Sequence, residues 1–204
     1  KKKVFNLERI NHYNHELNVF GATLLPLSKI FPFSCHQTYV KLCNKYIKDG
    51  IEIGDQPGAQ RRYIDSEEFL KASNRFLKIT QTNHIFFKYF KNTSFKINYI
   101  RGRNPLQFEG NQKFHRDDTI YKSKLSHLEC FFFLSDINML SGGIEYVRNR
   151  SNGHAQISPK NIFRVIAKRG DLLIMKSQTL HRGTTRFSSK SRWVISFQVQ
   201  SKKG

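Results

Sequence analysis

Apolar residues recur along this chain with two different periods, and the change from one to the other divides it. Between Cys35 and Ile47, the residues Tyr39, Val40, Leu42, Cys43, Tyr46 and Ile47 fall at helical spacing, and Asp49-Gly50 supplies a stop. Asp65 stands three residues before Glu68, a capping-box arrangement that opens a second helical stretch to about Phe90, interrupted near Thr82-Asn83. The first 33 residues read as irregular or peripheral, with an apolar run from Val19 to Leu27 that predicts a strand closed by Pro26 and Pro32. Residues Gly50 to Tyr63 hold further glycines, a proline and the Arg61-Arg62 pair, and predict a loop.

After Asn92 the pattern alternates. Candidate strands are Phe95 to Arg101, Leu128 to Leu134, Ile144 to Val147, Phe163 to Ala167, Leu172 to Met175 and Trp193 to Val199. Asn104-Pro105, Ser141-Gly142-Gly143, Ser151-Asn152-Gly153 and Arg169-Gly170 punctuate them. Helices followed by many short strands predict an α+β protein whose C-terminal half is a β-sandwich or barrel. Its length of 204 residues suits one domain, with residues 1–92 mainly helical and 93–204 forming the β core.

An apolar fraction of 38%, with 18 Phe and 8 Tyr, fills a core and excludes a disordered basic tail. The formal charge is +20, and from Tyr146 to Gly204 there are 13 Lys/Arg against one acid, Asp171. Such a field attracts nucleic acid, acidic surfaces and phosphorylated or carboxylated small molecules, although a solvated lysine-rich surface accounts for it equally well. Cys35, Cys43 and Cys130 are odd in number and lack a C-x-x-C spacing, so buried reduced thiols are expected. No apolar stretch is long enough to span a bilayer, and Lys1-Lys2-Lys3 leads into polar sequence unlike a signal peptide. The start without Met reads as trimmed, and the expectation is a soluble, cytoplasmic protein of unassigned oligomeric state.

The chemistry concentrates in three places. In Gln112-Lys113-Phe114-His115-Arg116-Asp117-Asp118, an extended backbone puts His115 and Asp117 on one face, half of a divalent-metal site. Asp118 is the alternative carboxylate if that segment is not extended. His181, 64 residues beyond Asp117 and at the end of an apolar strand, can close a two-histidine, one-carboxylate face of the kind non-haem Fe(II) oxygenases use. Alone, it reads as a strand-end histidine. Arg192 follows 11 residues later and shares the more polar face of its strand with Val194, Ser196 and Gln198, opposite Trp193, Ile195, Phe197 and Val199. A guanidinium there can pair bidentately with a carboxylate near the metal. Tyr99, Arg101 and Gln112, with Arg61 and Arg62 on the preceding loop, are candidates to touch substrate, whereas His127 reads as structural.

His115-x-Asp117, His181 and Arg192 together resemble the site of the phytanoyl-CoA dioxygenase-like family of Fe(II)/2-oxoglutarate-dependent oxygenases. The segment Phe131 to Ile137, the turn and strand Ser141 to Val147, and the Gly170-Asp171-Leu172 entry are similar to that family's later strands. The resemblance is specific over the last hundred residues and loose from about Val19. It implies a double-stranded β-helix, a cupin-like jelly-roll, with N-terminal helices packed outside. It further implies Fe(II) on His115, Asp117 and His181, and 2-oxoglutarate as co-substrate anchored by Arg192 with Thr184 or Ser196 in support. O2 would be consumed, succinate and CO2 released, and a small or medium-sized metabolite hydroxylated, an anionic one being admissible; ascorbate is a candidate activator. Gly183 and Arg186 depart from the family's usual Ser and Asn, while Ser188 keeps a later hydroxyl. A basic nucleic-acid-binding or nucleic-acid-modifying jelly-roll is the alternative. The aromatics weigh against it, because they sit at expected core positions and are not interleaved with Lys/Arg.

Overall fold

The computed structural model describes residues 6–31, 33–53, 59–117, 127–148 and 157–202. Asp118, the first three lysines and the Ser151-Asn152-Gly153 turn lie outside them. Two antiparallel sheets face each other, and helices cover the outer side of the larger one. The strands are β1 (Ala22–Leu25), β2 (Ile51–Glu52), β3 (Ala59–Tyr63), β4 (Phe95–Pro105), β5 (His127–Phe133), β6 (Ile144–Val147), β7 (Ile162–Arg164), β8 (Leu172–Lys176), β9 (His181–Gly183) and β10 (Val194–Ser201). The large sheet runs β1-β8-β5-β10-β4-β3-β2 and the small one β7-β6-β9. This is the mainly β jelly-roll that the resemblance implies, and all six candidate strands have counterparts in it.

Among the described residues, five α-helices accompany the sheets: α1 (Leu7–Phe20), α2 (Leu27–Ile30), α3 (Phe33–Asp49), α4 (Glu67–Ile79) and α5 (Asn83–Tyr89). α3 ends before Gly50, and the break between α4 and α5 falls at Thr80 to Thr82, as expected. The cap of α4 is one residue later than the capping box suggests: the Ser66 hydroxyl accepts from the Phe69 N–H.

Two early segments correct the sequence reading. Residues 7–20 are a helix, not irregular. Asn6 caps it by accepting from the Arg9 N–H, Gly21 closes it at φ 81°, and Tyr13, Asn14 and Leu17 are its buried residues. The expected loop from Gly50 to Tyr63 contains β2 and β3, which extend the large sheet beyond β4. With β1, three strands from before residue 92 therefore complete that sheet.

Strand alternation builds two cores. Leu128, Cys130, Phe132, Leu172, Ile174, Ile195, Phe197 and Val199 face the helices and meet Tyr39, Phe69 and Phe76. There the Tyr39 ring stacks on Phe76 at 4.1 Å between centroids, and Phe132 meets both edge-on. Phe131, Phe133, Leu173, Met175 and Val194 face the small sheet. The division of β10 into an apolar and a polar face is the one the sequence predicts. Cys43 and Cys130 are buried free thiols, and no helix among the described residues is long and apolar enough to cross a membrane.

Candidate metal centre

The H-x-D segment lies against β9. His115 and His181 exchange backbone hydrogen bonds of 2.9 Å in both directions, and the Asp117 N–H donates to the Ser177 carbonyl. These bonds keep His115 and Asp117 on the side facing His181. One ligand atom from each of the three residues lies within 4.8 Å of the others. Asp117 Oδ2 is 3.4 Å from His181 Nε2, and Asp117 Oδ1 is 3.8 Å from His115 Nε2.

Both imidazoles are oriented in the same way. Nδ1 of His115 bonds the Lys113 carbonyl and Nδ1 of His181 the Thr179 carbonyl, each at 2.9 Å. A carbonyl only accepts, so each Nδ1 carries the proton and each Nε2 presents a lone pair to the centre. His181 Nε2 and Asp117 Oδ2 are buried and have no hydrogen-bond partner. Burial holds the His181 imidazole below its ordinary pKa, with His115 acting in the same direction and Asp117 against it. A neutral nitrogen donor results. Two imidazoles and a carboxylate with orphaned donor atoms fit a divalent transition metal.

The β9 strand is fixed from outside by Glu145 of β6. Its carboxylate accepts from Arg164 on one oxygen and from Arg182 on the other, at 2.8 Å each. Arg182 also lies 4.4 Å over the Phe114 ring, so the residues flanking both histidines are braced.

A narrow cavity opens beside His181, lined by Arg103, Gln112, Phe131, Thr184, Arg192 and Val194 among others. Arg192 is only 4% exposed, and its Nε and Nη1 have no hydrogen-bond partner. Burial, with Arg186 adding a like charge, pushes its pKa down to about 9. Asn104 positions it, accepting from the Arg192 N–H at 2.8 Å. An uncompensated buried guanidinium is costly to a fold, and an anion in the cavity removes that cost. The Thr184 hydroxyl lines the cavity while accepting from the Gly143 N–H at 2.7 Å. Ser196 is fully buried one step along β10, its hydroxyl 3.5 Å from the Arg101 carbonyl.

The remaining candidates separate. Gln112 lines the cavity, and its side-chain carbonyl accepts from the Gly183 N–H. A Cβ at 183 would meet that oxygen at 2.8 Å, so a larger residue there would displace the Gln112 side chain. Arg186 braces the turn before β10 through the carbonyls of Pro105, Ser188 and Lys190. Arg61 and Arg101 share the inner face of the β3–β4 pair. Arg62 points the other way: it donates to the carbonyls of Ile47 and Lys48 at the end of α3 and lies over Trp193, so it is not brought to the cavity. Tyr99 is not brought there either, because a bulge in β4 opposite β10 gives it φ 49° and turns it into a separate hollow with Tyr63, Asp65 and Leu70.

Three residues escaped the sequence reading. Asn104 reads in sequence as turn punctuation, and Phe131 as part of a strand and of the Phe131 to Ile137 segment. Glu129 is fully buried on the inner face, where it accepts from Gln198 at 2.5 Å and lies 3.7 Å from His127. Burial, reinforced by Asp117, pushes its carboxyl up to about 7, against the pull of Arg103 and Arg101. An acid inside an apolar β5 pattern was the available signal.

No protein-family model matches the sequence, and no curated protein matches it. Solved structures do match its fold. The non-haem α-ketoglutarate-dependent epimerase SnoN from nogalamycin biosynthesis superposes with a TM-score of 0.74 at 11% identity, covering 96% of this chain and 84% of that one. A prolyl hydroxylase from Trichoplax adhaerens gives 0.69 at 13% identity, covering 96% of this chain and 90% of that one. HygX from Streptomyces hygroscopicus, solved with nickel, 2-oxoglutarate and hygromycin B, gives 0.63 at 13% identity over 94% and 87% of the two chains. The fold is thus one shared with 2-oxoglutarate-dependent non-haem enzymes.

Proposed function

We propose that this chain is an Fe(II)- and 2-oxoglutarate-dependent oxygenase, acting as a single domain in the cytoplasm and hydroxylating a small or medium-sized metabolite. The observation that carries the proposal is the conjunction, around one cavity, of a preformed His115-Asp117-His181 face and a buried arginine with no ion-pair partner among the described residues. Each calls for a different ligand: a metal for the first and a carboxylate for the second.

In this reading His115 Nε2, an Asp117 oxygen and His181 Nε2 hold the metal. Iron with 2-oxoglutarate and O2 supplies the oxidation, releasing succinate and CO2. Arg192 pairs with the far carboxylate of the co-substrate, with Thr184 and Ser196 as neighbouring hydroxyls. Phe131, Ile144 and Val194 keep water from that pair, which strengthens it. The intact carboxylate at Asp117 favours hydroxylation over halogenation. The finer affiliation, phytanoyl-CoA dioxygenase-like, rests on the motifs from Phe131 to Arg192. The SnoN and HygX structures support a small-molecule substrate, because SnoN belongs to nogalamycin biosynthesis and HygX was solved with hygromycin B.

Anaerobic calorimetry tests the reading. 2-Oxoglutarate should bind only when Fe(II) or Ni(II) is present, and aerobic Fe(II) should give slow succinate formation even without substrate. His115→Ala and Asp117→Ala should abolish both. The absence of metal-dependent 2-oxoglutarate binding in the intact protein would end the proposal.

A further inference from the structure

The metal face and the buried arginine are carried by one stretch of chain. His181 opens β9, and Arg192 stands just before β10, with a polar connector between them. The first half of that connector is held by its neighbours. The Gly183 N–H donates to Gln112, the Thr184 N–H to the Gly143 carbonyl, the Thr185 N–H to Asn111, and the Phe187 and Ser188 N–H groups both to the Leu140 carbonyl. Beyond Ser188 the hold passes to Arg186.

Arg186 is a buried residue. Its Nε donates to the Pro105 carbonyl at 3.0 Å, while Nη1 donates to the carbonyls of Ser188 and Lys190. The chain from 186 to 190 is therefore wound around its own side chain. Two residues further on, the Arg192 N–H is tied to the Asn104 side chain, so the turn and the anchor are fastened to consecutive residues at the end of β4. The two guanidiniums are near neighbours: after burial, the Arg186 charge is what pushes the Arg192 pKa down. A planar fork that grips three carbonyls fixes a turn more closely than one bond does, and an ammonium on a flexible stem does not reproduce it.

We propose that Arg186 is a positioning residue for the co-substrate: by fixing the turn it sets how far Arg192 reaches, and so selects the chain length of the 2-oxo dicarboxylate. The inference rests on the oxygenase reading above and adds a determinant of selectivity to it. One end of the co-substrate belongs at the His115-Asp117-His181 face and the other at Arg192. A fixed separation between the two rejects a homologue that is one methylene too long, whereas a separation that can adjust accepts it. The backbone pair between His115 and His181 holds the first end in place. Arg186 and Asn104 hold the second.

The test is calorimetry on the Ni(II)-loaded protein with 2-oxoglutarate and with 2-oxoadipate, which is one methylene longer. The unaltered protein should prefer 2-oxoglutarate by at least about tenfold. Arg186→Ala should weaken 2-oxoglutarate by at least about tenfold and 2-oxoadipate by less than about twofold, so that the preference collapses, with Ni(II) affinity within about twofold of the original. Arg186→Lys keeps the charge without the fork and should recover only part of the preference; it also decides the question if the alanine protein does not fold. A structural brace or a distant charge would weaken both ligands alike. Equal binding of the two ligands by the unaltered protein, or an unchanged preference in the folded variants, overturns the proposal and leaves the oxygenase reading standing. Absence of metal-dependent 2-oxoglutarate binding in the unaltered protein removes that reading and this inference with it.

Discussion

The two faces of the large sheet are made by the same strands and follow opposite rules. On the outer face, Leu128, Cys130 and Phe132 of β5 and Ile195, Phe197 and Val199 of β10 pack against the helices. On the inner face the intervening positions of those strands include Glu129, Ser196 and Gln198, and the neighbouring β4 adds Arg101 and Arg103. Burial on the outer face stabilises the fold directly. On the inner face it holds charged groups at a cost, and Arg192 has no ion-pair partner there among the described residues. A side chain that costs stability where it sits, and is surrounded by groups that hold it there, points to a ligand.

Substitutions on the two faces should therefore move different observables. The largest stability change is expected on the outer face: Phe132→Ala leaves a void among Tyr39, Phe76 and their neighbours and should cost about 3–5 kcal/mol in a urea melt. On the inner face, Arg192→Met should leave the melting temperature of the ligand-free protein unchanged or raised, because an unpaired buried charge is removed. The same change should weaken 2-oxoglutarate binding to the metal-loaded protein by about 100-fold. If it instead lowers the melting temperature as Phe132→Ala does, the contrast between the faces is broken.

The smallest effect is a pH dependence. Glu129 is pushed up from 4.5 to about 7, so the folded state binds more protons than the unfolded chain between those values. Its contribution to stability is complete below about 4.5 and is lost as pH rises through about 7. Glu129→Gln should flatten the fall in melting temperature of the metal-free protein between pH 5 and pH 8, values about which scanning calorimetry is straightforward. An unchanged slope would mean that Glu129 stays ionised on its arginines.

Periodicity made most of the barrel legible. Alternation in β10 separated Arg192 and Val194 from Trp193 and Ile195, and the H-x-D spacing brought two potential ligands to one side. What escaped depended on register or on caps. α1 lacks a continuous apolar stripe because Asn14 occupies a buried position, and its signal lay in Asn6 and Gly21. Arg62 and Tyr99 lie away from the cavity for local reasons: pairing of β3 with β4 fixes the face of the first, and a bulge in β4 reverses the second. The opposition of Arg61 and Arg103 exists only once β3 and β4 are paired, 42 positions apart in sequence, and no local pattern encodes it.

The position of β10 has a consequence for how the molecule is made. It is the last strand along the described chain, yet it lies between β4 and β5 in the large sheet. Until it inserts, those two strands have open edges toward each other, and the helices cover an incomplete wall. Arg192 immediately precedes β10 and its N–H is bonded to Asn104 of β4, so the proposed co-substrate anchor arrives with the segment that closes the sheet. A nascent chain thus presents His115 and His181 before Arg192 can take its place beside Asn104. Folding is dominated by distant pairings, which makes it correspondingly slow.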